Sequence, residues 1–131
     1  MPMSAKTILV VDDSPTIVSI LRDMLKSEGY RVRCAYSGED ALEHLTEETP
    51  DLIILDVLMP HMSGLELLSK IKMSPATVSI PVIMLTASGK NDDVLAGYKL
   101  GADYYITKPF KQTELLHGIE RVLGGDAKTA A

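Results

Sequence analysis

The sequence predicts an α/β fold with a doubly wound, five-stranded parallel sheet. Three observations carry that prediction. Short apolar runs alternate five times with segments of helical period, the pattern of repeated strand–helix units. The central run, Leu52-Ile-Ile-Leu55, is apolar at every position, as a strand covered on both faces must be. The connections between these units are short, and a helix between each pair of strands returns the chain to run parallel, with right-handed crossovers.

Residues 1–6 form a polar lead-in, and Thr7-Ile-Leu-Val-Val11 is the first strand, closed by Asp12-Asp13. Ser14 offers a capping hydroxyl and Pro15 a pre-set φ for the first helical position. Ile17, Ile20, Leu21, Met24 and Leu25 recur at helical spacing, and Gly29 ends that helix. Arg31 to Tyr36 is a weaker second strand, apolar at Val32, Cys34 and Tyr36, and reads as a sheet edge. Ser37-Gly-Glu-Asp40 resembles a capping box and opens a helix carrying Ala41, Leu42 and Leu45. Pro50 breaks the chain before the central strand, which ends in Asp56.

Ser63-Gly64 leads into a third helix with Leu65, Leu68 and Ile71 on its buried face. Met73 to Ser79 is a loop, and Ile80-Pro-Val-Ile-Met-Leu85 is the fourth strand, with Pro81 tolerable only near its start. A fourth helix runs through Val94, Leu95 and Tyr98, with Gly101 near its end. Asp103-Tyr-Tyr-Ile106 is the fifth strand, left by Thr107-Lys108-Pro109. The last helix carries Leu115, Leu116, Ile119, Val122 and Leu123. Gly124-Gly125 stops it, and residues 124–131 are a flexible tail or linker stub. One domain over 7–123 is expected, in strand order 2-1-3-4-5, the flavodoxin-like arrangement.

A chain of 131 residues suits a single domain with one well-buried core. Its net charge of −5 argues against direct nucleic-acid binding, because phosphate contacts need clustered Lys and Arg. No apolar run is long enough to span a bilayer, and the N-terminus lacks the apolar segment of a signal peptide. The single cysteine, Cys34, cannot form an internal disulfide and suits a reducing compartment. A cytoplasmic protein without membrane contact is expected.

The strand order places the unusual polar residues at one edge. Asp12 and Asp13 follow the first strand, Asp56 ends the third, Thr86 follows the fourth and Lys108 follows the fifth. Ligands of open α/β sheets bind at that carboxyl edge, near the switch point between the first and third strands. Three carboxylates sharing a pocket repel unless a cation offsets them. An all-oxygen set suits Mg²⁺, or Mn²⁺ in its place, rather than zinc. Carboxylate, metal, hydroxyl and lysine together suit phosphoryl transfer onto an aspartate. Asp56 attacks, Asp13 and Asp56 ligate the metal directly, and Asp12 assists through water. Lys108 pairs with the carboxylate and then with the phosphoryl, and Thr86 donates a hydrogen bond to it.

At these residues the chain resembles the receiver domain of two-component response regulators. The resemblance runs through Val10-Val-Asp-Asp-Ser14, Leu55-Asp-Val-Leu-Met-Pro60, Leu85-Thr-Ala87, Gly101-Ala-Asp103 and Thr107-Lys-Pro-Phe110, and covers nearly all of residues 6–123. It implies that Asp56 accepts a phosphoryl group from the phosphohistidine of a histidine kinase or phosphotransfer domain. It also implies that the Leu58 main-chain carbonyl is a metal ligand, that the Lys108–Pro109 bond is cis, and that Thr86 and Tyr105 form the switch. Output then passes through the fourth helix, fifth strand and fifth helix to an output domain or target protein, or to a phosphorylation-dependent homodimer. The positions of Leu58 and Ser88, the latter just beyond Ala87, influence how long the phosphoryl group persists.

Winged-helix regulators of the family carry a paired acid and an arginine where this chain has Asp103-Tyr104 and Gly118, so their inter-subunit ladder is incomplete here. Gly118 is expected to mark a close contact with a partner. Two rival functions remain. An aspartate-nucleophile phosphatase needs a second carboxylate two residues after the nucleophile as general acid, and this chain has Leu58 there. A constitutive interaction module would have lost pocket residues, and none is missing. A regulatory phosphoacceptor domain rather than an enzyme is expected.

Overall fold

Three serines start three helices by the same chemistry. Ser14 Oγ accepts from the Ile17 amide at 3.3 Å, Ser37 Oγ from Asp40 at 3.0 Å, and Ser63 Oγ from Glu66 at 3.1 Å. Each satisfies an amide that has no intrahelical partner. Asp40 returns the favour by accepting from the Tyr36 amide at 3.1 Å. The computed structural model describes residues 5–87 and 98–130.

The elements are β1 (Thr7–Val11), α1 (Pro15–Ser27), β2 (Arg31–Ala35), α2 (Gly38–Glu47), β3 (Leu52–Asp56), α3 (Gly64–Lys72) and β4 (Val82–Thr86). The helical residues 98–100, here α4, precede β5 (Tyr104–Thr107) and α5 (Gln112–Ala130). The expected fourth-helix positions Val94 and Leu95 lie outside the described residues. The strands form one parallel sheet in the order β2-β1-β3-β4-β5, as the sequence predicts.

Side chains alternate across the strands and divide the core into two layers. Ile8, Val10, Ile54, Ile83 and Leu85 pack with Val18, Leu21 and Leu25 of α1 and Leu115 and Ile119 of α5. Leu9, Val11, Ile53, Leu55 and Met84 pack with Ala41 of α2 and Leu67, Leu68 and Ile71 of α3. β1, β3 and β4 are buried at every position, whereas β2, at the edge, is buried only at Ala35.

Several expectations shift. On α1 the buried stripe is Val18, Leu21 and Leu25, while Ile20 is exposed. On α3, Leu67 is buried in full and Leu65 only in part. β4 starts at Val82 because Pro81 has no amide to donate, although its carbonyl accepts from Ile53. β5 starts at Tyr104 because Asp103 serves as a clamp. α5 does not stop at Gly124-Gly125 but continues to Ala130. A glycine costs a helix only about 1 kcal/mol relative to alanine, and residues 126–130 contain no proline to break it. Gly118 is a close contact within the chain rather than with a partner: a Cβ there would stand 2.8 Å from Cε2 of Tyr104.

Two aspartates set the register at the edge away from the site. Asp51 donates its amide to the Thr7 carbonyl and accepts the Thr7 amide on Oδ2, both at 2.8 Å. Asp103 repeats the arrangement on Val82, at 2.9 and 2.8 Å. Lys72 ties α3 to the same region, donating to the carbonyls of Ile80 at 2.7 Å and Val78 at 3.2 Å. Asp103→Ala removes the acceptor for the amide of fully buried Val82, and is expected to lower stability by about 1–2 kcal/mol. Urea unfolding measures this, and an unchanged midpoint would contradict the clamp.

Candidate functional site

β1 and β3 are neighbours in the sheet, so the residues that leave them meet at the carboxyl edge. Asp12, one residue past β1, is 1% exposed, and Asp56, the last residue of β3, is 5% exposed. Asp13 is exposed beside them. One ligand oxygen from each of the three carboxylates falls within a group whose members lie within 4.8 Å of one another. Lys108 reaches across from beyond β5. Its Nζ donates to Asp12 Oδ2 at 3.0 Å and to Asp56 Oδ1 at 3.1 Å. The ammonium therefore bridges two buried acids.

Local backbone chemistry aims each group. The second Asp12 oxygen accepts from the Ser14 amide at 3.0 Å, which couples that acid to the start of α1. Lys108 is held by its own amide, which donates to the Thr86 carbonyl at 2.7 Å, and the Lys108–Pro109 peptide is cis. Thr86 ends β4, next to β3, and is buried. It pairs with Thr107, while Tyr105 pairs with Met84 two residues earlier, so Thr86 and Tyr105 share one sheet face. Leu58 is 68% exposed in the loop that follows Asp56, and Ala87 is exposed just beyond Thr86. Ser88 lies outside the described residues.

The loop after Asp56 holds what sequence reasoning overlooked. The Gly64 amide donates to the Val57 carbonyl at 2.8 Å, seating the start of α3 on the backbone behind the acid. A Cβ at Gly64 would lie 2.0 Å from the Asp56 carbonyl oxygen and 2.8 Å from the Val57 Cα, so only glycine fits. Its place just after a Ser cap was legible as a helix start, not as a contact with Asp56. His61 has φ 69°, and the Met62 amide donates across it to Pro60 at 2.7 Å, closing a tight three-residue turn. The sequence carries no glycine there to announce it.

Burial pushes the Asp56 carboxyl above the ordinary carboxylate range, and the neighbouring Asp12 charge pushes it further against the pull of Lys108. For Lys108, burial alone would lower the ammonium's pKa. Its hydrogen bonds to Asp12 and Asp56 outweigh that and raise it, so the lysine stays charged.

The chain matches the family model described as the response regulator receiver domain over residues 8–120. This chain belongs to that family. Its structure resembles the signal receiver domain of a histidine kinase from Syntrophus aciditrophicus, with 41% identity, a TM-score of 0.85 and 92% of each chain covered. It resembles the Vibrio cholerae chemotaxis protein CheY4 at 33% identity and a TM-score of 0.88, covering 92% of this chain and all of that one (100%). A third relative is the receiver domain of a Pseudomonas aeruginosa sensor histidine kinase, whose structure has a magnesium ion coordinated in the active site cleft. It is 30% identical, with a TM-score of 0.85 over 92% of this chain and 99% of that chain. Receivers are regulatory domains of two-component signalling, and their general function is that of a phosphorylation-dependent switch. Among the receiver's described residues, no helix is long and apolar enough to cross a membrane.

Two outcomes test this geometry. Because the folded-state pKa of Asp56 is raised, its ionisation costs the folded state free energy. Its contribution is most favourable below the ordinary carboxylate pKa and is lost as pH rises through the raised value. With divalent metal chelated, Asp56→Asn should therefore melt above wild type at neutral pH, by about 3–5 °C for each kcal/mol relieved. The gap should close as pH falls through that window; a variant that melts lower, or a gap that ignores pH, contradicts the assignment. Gly64→Ala should lower stability by about 2–4 kcal/mol in denaturant unfolding, because its methyl meets backbone rather than a movable side chain. A near-neutral effect would mean that α3 can shift away from Asp56.

Proposed function

We propose that this receiver accepts a phosphoryl group on Asp56 and passes the change to its α4–β5–α5 face. The observation that carries the reading is the Lys108 bridge between two buried carboxylates, with a third acid beside them. A buried acid of this kind needs a reason, and covalent chemistry at a guarded oxygen supplies one.

The donor set fits Mg²⁺. It offers only oxygens, and an octahedral ion with bonds of about 2.1 Å holds its ligands roughly 3–4 Å apart. Carboxylates already within 4.8 Å need only small side-chain adjustments or a bridging water. Asp13 and Asp56 would hold the ion directly, with Asp12 through water and the Leu58 carbonyl completing the protein's share; Mn²⁺ could take its place. When bound, the ion supplies charge neutralisation at the transferring phosphoryl.

In the transfer, an Asp56 carboxylate oxygen forms a bond to phosphorus. The P–N bond of a phosphohistidine breaks, or the P–O bond of a small acyl phosphate, and the imidazole or carboxylate leaves. Lys108 loses Asp56 as a hydrogen-bond acceptor and gains a phosphoryl oxygen instead, remaining a point charge. Thr86 supplies a hydroxyl donor one strand away. Tyr105, on the same sheet face, follows Thr86 and alters the surface read by a target protein, an output domain or a second copy of the chain. A histidine kinase or phosphotransfer domain supplies the phosphoryl group. Leu58 cannot act as the general acid of a phosphatase, so the chemistry stops at the receiver's own aspartate.

Intact-mass spectrometry after incubation with Mg²⁺ and acetyl phosphate tests the proposal. Wild type should gain one phosphoryl group, Asp56→Asn none, and Lys108→Ala should gain it at least tenfold more slowly. A wild-type protein unmodified by acetyl phosphate and by a kinase donor, or modification that persists in Asp56→Asn, would overturn it.

A further inference from the structure

Strand β5 carries two tyrosines that face opposite layers. Tyr104 packs with the α1/α5 layer, over Gly118. Tyr105 packs with the α2/α3 layer and meets the ring of Tyr98 in α4, with centroids 5.3 Å apart and planes inclined at 53°. Tilted pairs at this distance are attractive beyond their buried area. Immediately after α4, Gly101 adopts φ 109° and sits so close to α3 that a Cβ would lie 3.0 Å from Lys72 Cγ.

The two neighbours of Tyr105 lie at different depths. Tyr98 is 47% exposed and Thr86 is 3% exposed. Tyr105 is itself only partly buried, so a ring seated on half-exposed Tyr98 is placed nearer solvent than Thr86, and turning toward Thr86 gives up that seat. We propose that Tyr98 is a positioning residue for the switch, an aromatic latch that holds Tyr105 outward and lowers the fraction of molecules with Tyr105 turned toward Thr86. This inference rests on the phosphoacceptor reading above and assigns a regulator to it. Losing one such ring pair changes a two-state balance by roughly two- to tenfold. A ligand that favours the inward state binds more tightly by up to the same factor once the latch is gone.

Beryllofluoride with Mg²⁺, a phosphoryl mimic, provides an equilibrium probe. Its binding is titrated by NMR, following the Tyr105 ring resonances, with melting curves recorded for each variant. Tyr98→Ala should bind beryllofluoride two- to tenfold more tightly than wild type and lose the ring-current shift at Tyr105, while Tyr98→Phe should behave as wild type. Equal or weaker binding by Tyr98→Ala, or a Tyr98→Phe that behaves like Tyr98→Ala, overturns the latch. If wild type itself takes up no beryllofluoride, the phosphoacceptor reading fails, and the latch with it. The two failures are thus distinguishable.

Discussion

Two carboxylates held out of water by one ammonium form the constraint on which the rest of the molecule depends. Asp12 and Asp56 are each at most 5% exposed, and Lys108 donates to both. Leaving buried acids unpaired is costly, and one lysine cannot neutralise two of them and exposed Asp13 as well. The folded receiver therefore keeps an excess of negative charge at one sheet edge. The three carboxylates there could hold a metal ion, which would offset that charge. The rigid frame makes this tolerable: β1 and β3 are buried throughout, and the aspartate clamps at the opposite edge fix the strands that deliver Asp56, Thr86 and Lys108.

The same frame ties the carboxylate edge to β5 and α4. Lys108 is anchored by its amide to the Thr86 carbonyl, which fixes the end of β5 against the end of β4. Thr86 and Tyr105 lie on one face of adjacent strands, and Tyr105 extends the connection to α4 through Tyr98. On the other face, Tyr104 fills the space left by Gly118, which binds β5 to α5. β5 is thus held from both layers, by Tyr98 of α4 on one face and by α5 at Gly118 on the other.

Most of the frame was legible because it rests on period and capping. The apolar strand cores, the Ser caps at 14, 37 and 63, and the convergence of Asp12, Asp13, Asp56, Thr86 and Lys108 all follow from sequence spacing. What escaped depends on contacts between distant residues. The close approach of Gly64 to the Asp56 carbonyl, the Gly118 seat for Tyr104 and the positive φ of His61 leave no local signature. The end of α5 was misjudged for a related reason. Two glycines weaken a helix without obliging it to stop, and the chain after them offers no proline or competing cap.

The central claim is that the buried acids form an incomplete charge arrangement that a divalent cation completes. Isothermal titration of Mg²⁺ into the receiver tests it most directly, with Asp12→Asn, Asp13→Asn and Asp56→Asn in parallel. Binding of one ion to wild type, weakened at least tenfold by Asp13→Asn or Asp56→Asn and less by Asp12→Asn, is the predicted result. No saturable binding in wild type, or binding that all three variants retain, would contradict it.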